Sequence, residues 1–263
     1  MNNLQSATSN IKSIAVAAAV TFGILLAMPV ITKAAPVSGV TSPAAAASIT
    51  FSFDDGLSST LTAAAPAMAK YGITGTDYVT TGCVGMTKKN NTCHANTATT
   101  YMTWAQIQTL KTTYGWEIGS HTATHPYLAS SDATDGQPNV LTPDQVVAEL
   151  VNSNTALSTN GYAATAFASP YGDYNMPVLA QIAKVYSSHR GFADQRSNDW
   201  PYNDYLINDY PVQAGVTVAQ VKAKIDAAIA NITLFDISPW VTVGTSPVAY
   251  ATIQIIRQPA HGE

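Results

Sequence analysis

The stretch Ser48-Ile49-Thr50-Phe51-Ser52-Phe53-Asp54-Asp55-Gly56 decides the reading of this 263-residue chain. Ile49, Phe51 and Phe53 alternate with small polar residues, the period of a half-buried strand, and two carboxylates and a glycine stand where that strand should end. Adjacent like charges repel, and burial sharpens the repulsion, so such a pair persists most easily where a cation or a shared proton compensates it. A divalent metal is the simplest such partner. The competing reading is a plain Asp-Asp-Gly turn, because Asp and Gly favour turns.

A second stretch bears on that choice. Trp116-Glu117-Ile118-Gly119-Ser120 reads as a short strand and runs into His121-Thr122-Ala123-Thr124-His125, two imidazoles four residues apart. Histidine is the commonest metal ligand, and this spacing can bring both rings to one side of a turn. With one carboxylate they make a two-His, one-Asp set that leaves coordination positions open for water and substrate. A zincin helix would carry Glu directly after the first His, where this chain has Thr122. Two solvent-facing histidines are the alternative.

Taken in order, Phe51-Ser52-Phe53-Asp54-Asp55-Gly56, His121-Thr122-Ala123-Thr124-His125 and Phe167-Ala168-Ser169-Pro170-Tyr171-Gly172 resemble the three motifs of the polysaccharide deacetylase family, also called the NodB-homology or carbohydrate esterase family 4 domain. Met102 to Gln106 and Gly115 to Ser120 are similar to it as well, and the resemblance covers about residues 47 to 230. It implies a distorted or incomplete (β/α) barrel. It further implies that Asp55, His121 and His125 hold a divalent metal ion, zinc in the first place, and that Asp54 is the general base. The backbone N–H of Tyr171 would stabilise the oxyanion, with Pro170 and Tyr171 against the substrate. The implied substrate is an acetylated polysaccharide, most readily one containing N-acetylglucosamine, attacked at an amide or an ester. A catalytically impaired carbohydrate-binding relative is the alternative.

Two departures from the family pattern matter. Many members carry Arg where Ala168 stands, and that Arg helps hold the base carboxylate. Members also end the domain on a strand with a Leu-x-His motif whose His protonates the leaving group, whereas Thr233-Leu234-Phe235-Asp236-Ile237-Ser238-Pro239-Trp240 contains no His. His261 stands near the terminus and is a poor candidate for that acid, since chain ends are usually mobile. His189 reads as structural or exposed.

Composition bounds the partners. Twelve Lys and Arg against 16 Asp and Glu give a net charge of −4, which excludes a basic nucleic-acid surface. Residues 1–34 read as an export signal: Lys12 supplies a positive start, Ile14 to Ile31 is almost wholly apolar, and Thr32-Lys33-Ala34 offers small residues for cleavage. The run sits at the lower edge of transmembrane length, so an uncleaved anchor, the only membrane contact expected, competes with secretion. Residues 35–47 read as a linker and 48–263 as the deacetylase-like domain, atypical towards its C-terminus. Cys83 and Cys93, the only cysteines, flank a polar loop, and export makes a disulfide between them the expectation. Metal binding by these cysteines with His94 is the alternative.

The rest of the chain alternates strand and helix. Helices are expected at Ser58 to Tyr71 with a kink at Pro66, at Thr103 to Tyr114, from Thr142 to about Thr159, at Asn175 to Tyr186 and at Thr217 to Ala230. Thr142 with Gln145 has the form of a capping box. Val218, Val221, Ile225 and Ile229 make one stripe of the last helix and are expected in the core. Strands are expected at Ile73 to Thr80 and Ala164 to Ala168, with extended chain at Ser188 to Ala193 and irregular or extended chain at Tyr205 to Val212. Alternation of this kind points to a parallel α/β barrel or sheet, whose catalytic groups gather at the C-terminal ends of strands. Tyr127, Tyr171, Tyr174, Trp200 and Tyr202 are candidates for stacking on sugar rings, with core packing as the plainer role.

Overall fold

The structure is a computed structural model that describes residues 48–86, 93, 100–192, 198–199, 203–213, 215–231 and 234–239. The chain divides into units Met1–Ser42 and Pro43–Glu263, and everything described belongs to the second. The export signal, the linker, His94, Trp200, Tyr202 and His261 lie outside the described residues. Among those residues no helix is long and apolar enough to cross a membrane.

Seven parallel strands form one curved half-barrel sheet. They are β1 (Ser48–Asp55), β2 (Thr76–Val79), β3 (Glu117–Ser120), β4 (Ala166–Ala168), β5 (Ser188–Arg190), β6 (Asp209–Val212) and β7 (Leu234–Pro239), in the spatial order β5-β4-β3-β2-β1-β7-β6. The chain just before β6 also pairs with the opposite edge: Ile207 bridges Arg190, Gly191 N–H donates to Ile207 and His189 N–H donates to Asp204. One segment thus spans both edge strands.

Alternation along β1 sorts its side chains between two interiors. Phe51 and Phe53 are buried in the main apolar core, where Phe53 packs on Trp116 at a ring separation of 5.0 Å. Ser52 between them does not face water: it is buried and donates through its hydroxyl to Asp236 of β7 at 2.7 Å. The exposed Thr50 donates to the same carboxylate at 2.9 Å, so the polar face of β1 turns from solvent at Thr50 to a polar barrel interior at Ser52.

The helices form where their caps and apolar faces coincide. In α2 (Trp104–Tyr114) Thr103 and Gln106 make a reciprocal capping box, Gly115 closes the helix in a left-handed conformation, and Ile107 and Leu110 are buried. In α3 (Pro143–Thr159) Thr142 and Gln145 form the expected capping box, with Val146, Leu150 and Leu157 inward. In α4 (Met176–Val185) Asn175 caps the first turn. The first expected helix runs from Ser58 to Ala69 with an irregular middle: a π-helical turn, Thr60–Ala64, passes directly into the short α1 (Ala65–Ala69), with Pro66 in its first turn. On α5 (Val218–Asn231) Val221, Ile225 and Ala228 are buried and Ile229 is partly so, but Val218, the first residue of the helix, is exposed.

Asp77 of β2 is fully buried, and neither carboxylate oxygen has a hydrogen-bond partner by strict geometry. Burial raises its pKa well above the ordinary aspartate value, against a lowering contribution from Thr60. A raised folded pKa means that the native state holds a proton the unfolded chain releases, so stability falls as pH rises above the unfolded value. Asp77→Asn is therefore expected to gain stability over the parent at about pH 7 relative to about pH 4, at up to about 1.4 kcal/mol per pH unit. Urea unfolding at the two pH values measures this; a difference independent of pH would contradict it.

Candidate active site

The two adjacent aspartates end up facing different partners. Asp54 is the last inward residue of β1, whereas Asp55 adopts φ 74°, a left-handed conformation that ends the alternation and swings its carboxylate away. Asp55 Oδ1 lies 3.1 Å from His125 Nε2 and 3.7 Å from His121 Nε2. The side chain of Asp55 is about a third exposed while both rings are buried, so the group opens to solvent on the carboxylate side.

The protonation of His121 follows from its partners. Its Nδ1 lies 2.8 Å from the carbonyl of Ala168, which can only accept, so Nδ1 carries the proton and the Nε2 lone pair faces Asp55. Burial pushes its pKa down to about 4, with Asp54 acting in the opposite direction. A neutral imidazole presenting one nitrogen while the other is anchored on a carbonyl is the usual arrangement of a metal-binding histidine. Ligand atoms of Asp55, His121 and His125 all lie within 4.8 Å of one another. Bonds of about 2.0–2.2 Å to one ion allow donor separations up to about 4.2 Å, which both Asp55–His pairs meet. These residues fit a divalent cation.

Asp54 pairs with Arg190, which sequence reasoning did not select. The guanidinium of Arg190 donates through Nη2 to Asp54 Oδ1 and through Nη1 to Asp209 at 2.9 Å, and its Nε lies 3.8 Å from Asp236. Burial alone would lower the Arg190 pKa, but Asp54, Asp209 and Asp236 together hold it above its ordinary value. Burial in turn raises Asp236, opposed by Arg190 and the hydroxyls of Ser52 and Thr50. With Ala168 in place of Arg the sequence left the orientation of Asp54 less secure, and Arg190 supplies that hold. Arg190 sits directly opposite Ala168 in the β4–β5 register and supplies the cation from the next strand. The available signal was a cation ending a short, otherwise buried strand.

The third motif supplies the facing wall. Ser169 runs into the turn Pro170–Gly172, where Tyr171 takes φ 59°. The Tyr171 ring stacks on Tyr127 at 3.9 Å with an interplanar angle of 4° and meets His125 edge-on at 4.7 Å. Asp173 Oδ2 accepts from the backbone N–H of Ala129 and Ser130, at 2.6 and 2.9 Å, and ties the two loops together. Tyr174 instead packs edge-on against His189.

Other candidates find structural places. His189 is fully buried, its Nδ1 2.8 Å from the carbonyl of Tyr205 and its Nε2 2.8 Å from Ser169 Oγ; burial pushes it down to about 4. Ser120 points away from the histidines, towards Ser153 and Tyr186 at 2.8 Å each, while Thr122 Oγ1 accepts from His125 N–H at 2.9 Å. Cys83 and Cys93 form a disulfide, which removes the alternative of a cysteine metal site. No histidine occurs on β7, where the family's last motif was sought.

Comparison with known proteins fits this geometry. The family model described as polysaccharide deacetylase matches residues 41–186, more than half of the chain, so the protein belongs to the polysaccharide deacetylase family. Its fold is similar to that of a de-N-acetylase from Aggregatibacter actinomycetemcomitans, at TM-score 0.55 and 15% identity over 66% of this chain and 74% of that one. It is also similar to the Streptococcus pyogenes deacetylase PplD in complex with acetate, at TM-score 0.51 and 20% identity over 66% and 68% of the two chains. The BpsB deacetylase domain from Bordetella bronchiseptica follows at TM-score 0.50 and 18% identity, over 72% and 71%. No curated protein sequence matches. Deacetylases of this type use a divalent metal, and Asp55, His121 and His125 are the group able to hold one among the described residues.

Arg190→Met leaves Asp209 and Asp236 buried without their cation and is expected to cost about 3–5 kcal/mol. Adding Asp236→Asn should recover part of that loss, because the two changes act on one ionic network. Denaturant unfolding of the single and double variants provides the check.

Proposed function

We propose that the protein is a metal-dependent hydrolase that removes acetyl groups from an acetylated polysaccharide, most readily one containing N-acetylglucosamine. The observation that carries the reading is the division of labour between Asp54 and Asp55: one carboxylate is paired with Arg190, the other faces two histidines. In this reading Asp55, His121 and His125 hold one divalent ion, zinc in the first place. When bound, such an ion acidifies water and polarises the acetyl carbonyl.

The chain's own residues supply the rest. Asp54, with Oδ1 engaged by Arg190, takes the proton of the attacking water on its carboxylate and stays oriented while doing so. Attack on the acetyl carbon produces a tetrahedral oxyanion beside the turn at Pro170 and Tyr171, where the backbone N–H of Tyr171 donates to it. Collapse, with the proton taken up by Asp54 passing to the leaving nitrogen or oxygen, expels the sugar amine, or the sugar hydroxyl from an ester, and releases acetate. Pro170 and Tyr171 contact the sugar beside the scissile group, with Tyr127 backing the Tyr171 ring. Export of residues 35–263 to the cell surface or medium suits both a polymeric substrate and the Cys83–Cys93 disulfide.

Acetate release from a short N-acetylglucosamine oligomer tests the proposal, with the full chain compared metal-free, zinc-loaded and as zinc-loaded Asp54→Asn. Release is expected only with zinc, and loss of the base should lower it by about 10²–10⁴-fold. Undiminished release by Asp54→Asn would remove Asp54 from its role. No release from this oligomer or from acetylated xylan, with zinc bound, would favour the carbohydrate-binding relative.

A further inference from the structure

The five residues from His121 to His125 carry both candidate histidines on a backbone that is left-handed at Thr122 and at His125. One contact within the loop supports that conformation, Thr122 Oγ1 accepting from His125 N–H at 2.9 Å, and the loop's other polar groups are held by its neighbours. Its carbonyls are held from the β2 side. Thr80 Oγ1 donates to the carbonyl of His121 at 3.4 Å, Thr81 N–H to that of Thr122 at 3.2 Å, and Gly82 N–H to that of Ala123 at 2.8 Å. Close approach here requires glycine, since a Cβ on residue 82 would lie 2.5 Å from the Ala123 oxygen.

The amides are held from the opposite side by a single carboxylate. Glu149 Oε2 accepts from the backbone N–H of Ala123 and of Thr124, both at 2.9 Å, and Glu149 Oε1 accepts from Thr124 Oγ1 at 2.7 Å. Two successive amides converging on one anion form a charge-assisted contact of high directional specificity. Glu149 is itself firmly placed. Its neighbour Leu150 is fully buried, and the Tyr186 hydroxyl donates to the Leu150 carbonyl at 2.9 Å while reaching Ser120 Oγ on β3 at 2.8 Å.

We infer that Glu149 is a positioning residue for the cation site: by clamping the Ala123 and Thr124 amides it fixes the left-handed turns that aim His121 and His125 at Asp55. This rests on the metal-site reading proposed above. The role is orientation, not ligation, because both Glu149 oxygens are engaged by the loop's outer side.

The test uses the full chain as parent, Glu149→Ala and Glu149→Gln, with His121→Ala as a control that the probe reads this site. Zinc affinity is measured by competition with a chromophoric chelator, and exchange of the Ala123 and Thr124 amides is followed in metal-free protein. Glu149→Ala should bind zinc about 10–100-fold more weakly, as loss of a group supporting a ligand typically does, and its two amides should exchange faster. Glu149→Gln should recover affinity to within about threefold, since its amide oxygen still accepts both N–H groups while the Thr124 hydroxyl can turn to accept. If Glu149→Ala does not fold, Glu149→Asp, one methylene short of the loop, carries the same comparison. A variant that melts earlier yet keeps parental zinc affinity would make Glu149 a stability tether and overturn the inference. A parent that binds no zinc would overturn the metal-site reading, and this inference with it.

Discussion

Two carboxylates on consecutive residues cannot both be buried beside one another unless each finds its own compensation. The site depends on how the chain separates them. A single left-handed residue, Asp55, ends β1 and turns the second carboxylate towards His121 and His125, while the first continues the strand alternation into the barrel interior and meets Arg190. Because Asp54 Oδ1 is engaged by a guanidinium that is itself buried, the carboxylate's orientation is set by the sheet and not by solvent. The interior of the half-barrel is correspondingly polar: Ser52, Asp209 and Asp236 on three different strands converge on that one cation or on its carboxylate partners.

The same economy appears in the backbone. Among the described residues the non-glycine positions with positive φ are Asp55, Thr122, His125 and Tyr171, and all four lie on the three motif loops of the site. Each such conformation costs on the order of 1–3 kcal/mol and persists only where surrounding contacts determine it. Those contacts are visible: Thr122 Oγ1 on His125 N–H, the 80–82 backbone on the loop carbonyls, and Asp173 tying residues 129 and 130 to the Tyr171 turn. Strain concentrated on the loops above the strand ends, with apolar packing beneath, is the division of stability and function expected of a (β/α) scaffold.

Much of this was legible in the sequence, and the reason is periodicity and caps. The alternation in residues 48–55, the Thr142 cap and the two-His spacing all act over a few residues, and the structure shows a strand, a capping box and two rings turned to one carboxylate there. What the sequence hid depends on pairing between distant strands. Ser52 on β1 looks like part of a solvated face until β7 supplies Asp236, which accepts its hydroxyl. β7 itself lacked the expected motif, yet it pairs between β1 and the edge strand β6. Val218 fits the apolar stripe of its helix and is nonetheless exposed at the helix's first residue, because periodicity says which face is apolar and not how far its cover extends.

The position of Arg190 carries a wider consequence for how motif departures are weighed. Neighbouring parallel strands lie about 4.8 Å apart, and an arginine side chain is longer than that spacing. A cation required at the mouth of Asp54 can therefore come from β4 or from the register-matched residue of β5 with little change in where its guanidinium sits. Here β4 has Ala168 at the motif position and its register partner Arg190 fills the requirement, its guanidinium 5.2 Å from the Tyr78 ring. What the chemistry constrains is a buried positive charge against one carboxylate, together with acids enough to keep it charged. A motif position is only one address for that charge, so its loss argues against function only after the register partners on adjacent strands have been read as well.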